Sequence, residues 1–356
     1  MSNVVGIDLS LACATEPRGI GVFEKNIGLP SEDFLKANKV YVFGVGRRPS
    51  WIVSNVTYIN LYTTNPIIRE QIYLPMMAFF LNINHLHVFA NVVPVLIKLK
   101  YNCKVYLTIH DVSYKYTREY MSNDKNQNTF KRHIGLLYQS VLFDYSCKIA
   151  HKIHTVSDWS SSEIIKMAKH TVKDKLSVIR NVCAQDFVAL DKREWHLREE
   201  RIILVTGSHP QKNLIFFLDC FLELINEIHP NIVVDIVGVN KAELESKYID
   251  VDRIEFHGKV TQSELLSLYD NSKILVMPSL FESFSIPLLE AKYRGLHILS
   301  SNGGATKEVA ANYALFFDPT DKQDFKTKLV RLLMSSNVAP NYELTEQIDI
   351  NSLYWG

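Results

Sequence analysis

Residues 278–295 read PSLFESFSIPLLEAKYRG and follow directly on the apolar run KILVM (273–277). Two glutamates, Glu282 and Glu290, bracket Ser283, Ser285 and Pro287. Proline suits the first turn of a helix, where its missing N–H costs nothing. Gly295 suits the helix end, where left-handed backbone is common. The stretch therefore predicts a strand, a tight polar loop and the amino end of a short helix. Such an end carries partial positive charge and free N–H groups, which suit a phosphate. A carboxylate on the loop and another early in the helix can hold sugar hydroxyls beside it. The same residues also fit a plain strand–loop–helix unit whose glutamates complement the helix dipole.

Working outward, apolar β-branched runs recur along the whole chain. The first half holds VVGID (4–8), KVYVFGV (39–45), VTYINLY (56–62), HLHVFA (85–90), KVYLTIH (104–110), KIHTV (152–156) and LSVIRNV (176–182). The second half holds RIILVTG (201–207), IVVDIVG (232–238), RIEFHG (253–258), KILVMPS (273–279) and LHILSS (296–301), with helical patterns between them. Strands alternating with helices predict parallel sheets covered on both faces. Two such series predict an α/β chain of two doubly wound, Rossmann-like domains: residues 1–185, a charged linker at 186–200, and residues 201–356. Ligands of such sheets collect beyond the carboxyl ends of the strands, so two domains facing each other would enclose a central cleft.

Other positions at strand ends carry polar chemistry. Lys212 closes VTGSHPQKN just before a helical pattern; a lysine there opposes the helix dipole unless an anion sits beside it, and a solvated lysine is the alternative. The segment lacks the spacing of a nucleoside-triphosphate P-loop. His110 and Asp111 end the run CKVYLTIHD, where a ligand-facing histidine and a backbone-bonded one are both open. In TEPRGIGVF, Gly19 and Gly21 would let backbone approach a phosphate and Arg18 would add charge, although an ordinary turn is the default. Asp250-Val251-Asp252 matches the D-x-D metal–nucleotide pattern, most simply by chance in a charged loop. No metal-ligand spacing of Cys and His occurs.

Composition narrows the class. The 356 residues are 47% hydrophobic and 22% charged, which predicts a soluble globular protein. A net charge of +1 gives no case for a nucleic-acid partner. Five scattered cysteines, none in a C-x-x-C pair, predict a reducing compartment such as the cytoplasm. The start MSNVVGIDLS has no basic n-region and predicts no signal peptide. Residues 71–97 contain no Asp, Glu, Lys or Arg, but two prolines, three asparagines and two histidines argue for buried elements and not a membrane span.

Taken together, ILVTGSHPQKN, FHGKVTQSELLSLYDNSKILVMPSLFESFSIPLLEA and SSNGGATKEVAANYALFFDP resemble the retaining glycosyltransferases of family 4, which have the GT-B fold. GIDLS…RGIG, LTIHD and KIHTVSDWSSSEI resemble the family more loosely. The resemblance implies that the second domain binds a nucleotide sugar and the first receives the acceptor. It assigns Glu290 to the ribose hydroxyls, Glu282 to hydroxyls of the donor sugar and Lys212 to the diphosphate. The backbone around Ser285 and Ile286 would donate to phosphate or sugar, Lys259 and Val260 would lie near the base, His110 near the donor sugar and Gly21 near the diphosphate. It implies no cofactor and no metal; a donor phosphate oxygen would take the acceptor's proton.

The sequence departs from the family at three places. Ser208 stands where members often carry an arginine, and Ser283 and Ser285 replace the usual glycines. Members commonly end with a helix crossing back to the first domain, which this sequence, ending LYWG, has in short form or lacks. The implied reaction is transfer of a hexose, with mannose from GDP-mannose as the first candidate ahead of UDP- or dTDP-sugars, to a glycan or lipid-linked glycan of a bacterial surface polysaccharide such as O-antigen. A catalytically inactive partner subunit of the same fold is the alternative, and a sugar phosphorylase or epimerase a weaker one. The basic, partly apolar stretch at 130–152 fits either peripheral contact with the inner face of the membrane or packing on the first sheet.

Overall fold

The structure is a computed structural model that describes residues 3–13, 19–63, 65–89, 91–112, 129–168, 172–189, 191–228 and 230–342. Arg18 and the terminal LYWG lie outside the described residues. The chain divides into two compact units between Val182 and Cys183.

The first unit is built on seven parallel strands: β1 (Val4–Asp8), β2 (Lys39–Gly44), β3 (Thr57–Asn60), β4 (His85–Val88), β5 (Lys104–Ile109), β6 (Lys152–Thr155) and β7 (Leu176–Val178). Their order is β3-β2-β1-β4-β5-β6-β7, so the winding direction reverses between β1 and β4. The strands are near-continuous apolar runs because helices cover both faces. Val42, Leu86, Leu107 and Ile153 are fully buried, and Leu74, Ala78, Phe143 and Ile164 from the helices belong to the same core as the last three. Each such side chain contributes about 1.5–3 kcal/mol over exposure.

The second unit carries β8 (Arg201–Val205), β9 (Val233–Val237), β10 (Ile254–Gly258), β11 (Ile274–Met277), β12 (His297–Ser301) and β13 (Ala314–Phe317). The order β10-β9-β8-β11-β12-β13 is again parallel throughout and reverses between β8 and β11. One face packs Ile202, Leu204 and Val276 against Phe217, Leu218 and Phe221 of the helix Leu214–Leu224 and Phe325 of the helix Lys322–Ser335. The other packs Ile203, Leu275 and Met277 against Tyr269 of the helix Gln262–Asn271 and Leu288 and Ala291 of the helix Ile286–Arg294. Both units thus have the doubly wound architecture that the strand spacing predicts.

Residues 186–200, read above as a linker, are held tightly by the second unit. Phe187 is buried with its ring edge-on to Tyr269 at 5.5 Å. The Arg294 guanidinium, fully buried, donates to the Asp191 carbonyl at 2.8 Å and pairs with Asp270 at 2.8 Å. Arg198 donates to the Arg294 carbonyl at 2.7 Å. Arg198 is thus buried and internally hydrogen-bonded, while Asp186, Asp191, Lys192, Arg193, Glu194 and Glu199 stay exposed.

Candidate functional site

The second sheet reverses its winding between β8 and β11, and beyond the carboxyl ends of those two strands lie Lys212 and Glu282. This is where doubly wound sheets bind ligands. Lys212 ends a short 3-10 turn, Pro210–Lys212, that leads into the helix Leu214–Leu224 through Asn213, whose φ is +55°. Its Nζ donates to Glu282 Oε1 at 2.8 Å. The two residues are 70 apart in sequence, and backbone-directed bonds bring their loops together. Gln211 donates from its side chain to the Phe281 carbonyl at 2.8 Å and its own carbonyl accepts from Leu280 N at 2.8 Å. Asn213 Nδ2 donates to the Pro278 carbonyl at 3.1 Å and the Pro319 carbonyl at 2.9 Å.

The far side of the Glu282 loop is set by a glycine pair. Glu282 forms a bridge with Gly304, and its carbonyl accepts from Ala305 N at 2.8 Å. A Cβ on Gly304 would lie 2.3 Å from the Glu282 carbonyl oxygen, and one on Gly303 would lie 1.9 Å from that of Leu280. Gly304 also has φ +69°. Only glycine allows this approach.

Ser285 precedes the helix Ile286–Arg294 with φ +82°, a strained value for a residue with a Cβ. Its hydroxyl is buried and makes no hydrogen bond among the described residues; the same holds for Thr206 Oγ1 just past β8. Ile286 opens the helix and is half-buried. Glu290 lies in that helix, buried, and its Oε2 accepts from the Tyr269 hydroxyl at 2.9 Å. Burial pushes its carboxyl up to about 7, against a smaller opposing effect of the Tyr269 bond. Lys259 is exposed past β10, and Val260 packs partly on the core beside the helix Gln262–Asn271. Ser208 is exposed and interacts with Glu243.

In the first unit, His110 follows β5 and is buried against the Phe23 ring at 4.6 Å. Its backbone N–H donates to Asn91 Oδ1 at 2.7 Å, while Nε2 makes no hydrogen bond among the described residues. Burial lowers its pKa to about 3, so the imidazole is neutral at ordinary pH. Gly21 is buried in the first turn of the helix Ile20–Ile27; the residue with left-handed freedom is Gly19, at φ +50°. Asp250 and Asp252 are exposed.

One cluster has metal-like composition: Asp235, Glu255 and His257 bring ligand atoms within 4.8 Å of one another. Arg201 already pairs with Asp235 at 2.8 Å and Glu255 at 3.1 Å, so the group reads as an ionic network on the sheet.

The structure therefore brings Lys212 directly onto Glu282 and places Ser285, Ile286 and Glu290 on the adjoining loop and helix. Sequence reasoning missed Tyr269, whose helical spacing marks it only as core, and the bracing roles of Gln211 and Asn213. The glycine pair was visible in SSNGGATKE, but its contact with Glu282 was not.

Comparison with known proteins gives sequence relatives and solved structures of similar fold. Residues 189–351 match the family described as Glycosyl transferases group 1. An O-antigen chain mannosyltransferase B of Escherichia coli is 25% identical over 65% of this chain and 61% of its own length. The O-antigen chain mannosyltransferase RfbU of Salmonella typhimurium is 28% identical over 55% of each chain. The chain thus spans little more than half the length of these relatives. The solved structure of WaaG, a glycosyltransferase involved in lipopolysaccharide biosynthesis, matches 93% of this chain and 90% of its own at a TM-score of 0.67 and 15% identity. The fold is that of the GT-B glycosyltransferases.

Proposed function

We propose that the protein is a retaining glycosyltransferase that moves a hexose, mannose first among the candidates, from a nucleoside diphosphate sugar to a glycan or lipid-linked glycan during synthesis of a surface polysaccharide. The observation that carries this reading is the Lys212–Glu282 pair at 2.8 Å, at the switch point of the second sheet and next to the loop that leads to Glu290. The mannosyltransferase names of the two relatives support the sugar and the pathway class. GDP-mannose is accordingly the first donor to try.

On this reading the leaving group is a diphosphate, and negative charge grows on it as the glycosidic bond breaks. Lys212 neutralises part of that charge, and the start of the helix Ile286–Arg294 adds a positive dipole end. Glu282 orients both the ammonium and a sugar hydroxyl, and Glu290 accepts from the ribose hydroxyls. Ser208, Lys259 and Val260 line the approach to phosphate and base, and Gly21 supplies backbone to the diphosphate. His110, being neutral, serves as a hydrogen-bonding group for the sugar and not as a cationic acid. The charge is met by these groups without a divalent ion, and a donor phosphate oxygen takes the acceptor proton. A lipid-linked acceptor places the protein in the cytoplasm against the inner face of the membrane.

The test is a thermal-shift panel of nucleoside diphosphates and nucleotide sugars, followed by turnover. A preferred donor raises the melting temperature because it binds the folded state. Lys212→Ala should lose at least about tenfold in donor affinity, since a charge-assisted bond to phosphate goes. Unchanged turnover in that variant refutes the assignment. An absence of any nucleotide shift, with the chain still required for a partner's activity, favours the inactive-subunit reading.

A further inference from the structure

The segment at 71–97 carries no Asp, Glu, Lys or Arg, and the expectation of buried elements there holds for one face only. A helical run covers Pro66–Ile68, Arg69–Tyr73 in a π turn, and Leu74–Phe80. Its inner face buries Leu74, Pro75 and Ala78. Its outer face, where a surface helix normally carries polar residues, presents Ile72, Met76, Phe79 and Phe80, the last 77% exposed. A helix apolar on both faces is covered on both faces when at work.

Two further elements extend this surface. The 3-10 turn Val95–Leu99 exposes Leu96 and Leu99, and the helix Thr129–Ile149 exposes Leu137 and Val141, each 65%. Hydrogen bonds tie the three side by side. Gln71 Nε2 donates to the Tyr138 hydroxyl at 2.7 Å, Val95 N donates to Gln71 Oε1 at 2.9 Å, and the Tyr145 hydroxyl donates to the Val95 carbonyl at 2.6 Å. The exposed apolar side chains thus form one neighbourhood and not scattered singles.

Its exposed charge is mainly basic, although the helix Thr129–Ile149 also carries the half-buried Asp144. Between Gln71 and Lys104 the charged residues are Lys98, Lys100 and Lys104, all basic. Lys100 holds its ammonium 5.6 Å over the Phe79 ring, and Lys98 and Lys104 are exposed. Tyr101, fully exposed between them, adds an aromatic of the kind that sits at headgroup level. No helix among the described residues is long and apolar enough to cross a membrane. Apolar side chains flanked by lysines suit a surface that is apolar below and anionic above.

We propose that this face of the first unit docks on an anionic phospholipid surface, with Ile72, Met76, Phe80, Leu96 and Leu137 entering the acyl boundary and Lys98 and Lys104 meeting the headgroups. The proposal deepens the lipid-linked reading of the acceptor, but vesicle binding needs no donor. Its failure therefore leaves the diphosphate site of the second unit untouched.

The experiment is flotation of the full chain with vesicles of phosphatidylcholine plus phosphatidylglycerol, and with phosphatidylcholine alone. Binding to the first, weaker binding to the second and weakening by salt are expected. The combined variant Phe80→Ser, Leu96→Ser, Leu137→Ser should partition at least about tenfold less, because three apolar insertions are lost. These side chains are exposed, so an unchanged circular dichroism spectrum and melting temperature certify the fold. Met334→Ser, at an exposed apolar position in the second unit, should bind as wild type does. Absence of binding to either vesicle, or binding that the triple variant leaves unchanged, overturns the proposal. A concentration-dependent dimer that the triple variant abolishes, without vesicle binding, overturns it in favour of a second copy on this face.

Discussion

Replacing Glu290 by glutamine should stabilise the free protein, and by an amount that depends on pH. The Glu290 carboxyl is buried and is pushed from 4.5 up to about 7 because burial penalises its charge. That change corresponds to about 3 kcal/mol against the ionised form. In the unfolded chain the group ionises near 4.5. Between these two values the folded chain keeps a proton that the unfolded chain has released, so this group makes stability fall as pH rises, with the loss complete above about 7. Glu290→Gln removes the titration and keeps an oxygen to accept from the Tyr269 hydroxyl. The variant should match wild type near the lower value and exceed it by up to about 3 kcal/mol at about pH 8. Urea unfolding of both full chains across the window reads the difference. Glu70, also pushed to about 7 by burial, titrates in both proteins and cancels. A difference that is flat with pH, or that favours wild type at high pH, refutes the reasoning. On the proposed reading, ribose hydroxyls would bond this carboxylate and offset the cost of its buried charge. Nucleoside diphosphate binding should therefore strengthen in wild type as pH rises through about 7 and stay weak and flat in the variant.

Two substitutions probe the loop itself. Gly304→Ala meets both a φ of +69° and the Glu282 backbone, so it should cost about 1–3 kcal/mol from the backbone alone and shift Glu282 off Lys212, read as a lowered melting temperature and weakened donor binding; a silent variant would mean that the loop is not braced there. Ser285→Gly relieves the strained φ and should stabilise the free protein by about 1 kcal/mol in thermal unfolding, while loss of the buried, unpartnered hydroxyl weakens nucleotide binding by calorimetry; a destabilised variant would show that the hydroxyl serves the fold and not a ligand.

The strand runs were legible because a buried parallel strand must be apolar on both faces, whatever surrounds it. KILVM, RIILV and VVDIV announce β11, β8 and β9 within a residue or so. Pro287 and Gly295 likewise announce the helix Ile286–Arg294, because each has a local backbone reason to sit at its end. The family resemblance singled out Lys212, Glu282 and Glu290, and the structure places them on the loops after β8 and β11 and in the helix Ile286–Arg294. What the chain could not reveal locally is partnership. That Lys212 meets Glu282 depends on β8 and β11 being neighbours in the sheet, which is a long-range choice of strand order. That burial pushes the Glu290 carboxyl up to about 7 depends on the core packed around it, which forms only with the tertiary structure. That residues 186–200 are held on the second unit depends on the Tyr269 ring that meets Phe187 and the Arg294 carbonyl that Arg198 finds, of which the sequence carries no local record. Periodicity likewise gave the uncharged segment at 71–97 its apolar character but not its outside, because which face of a helix meets a sheet is decided only when the sheet exists.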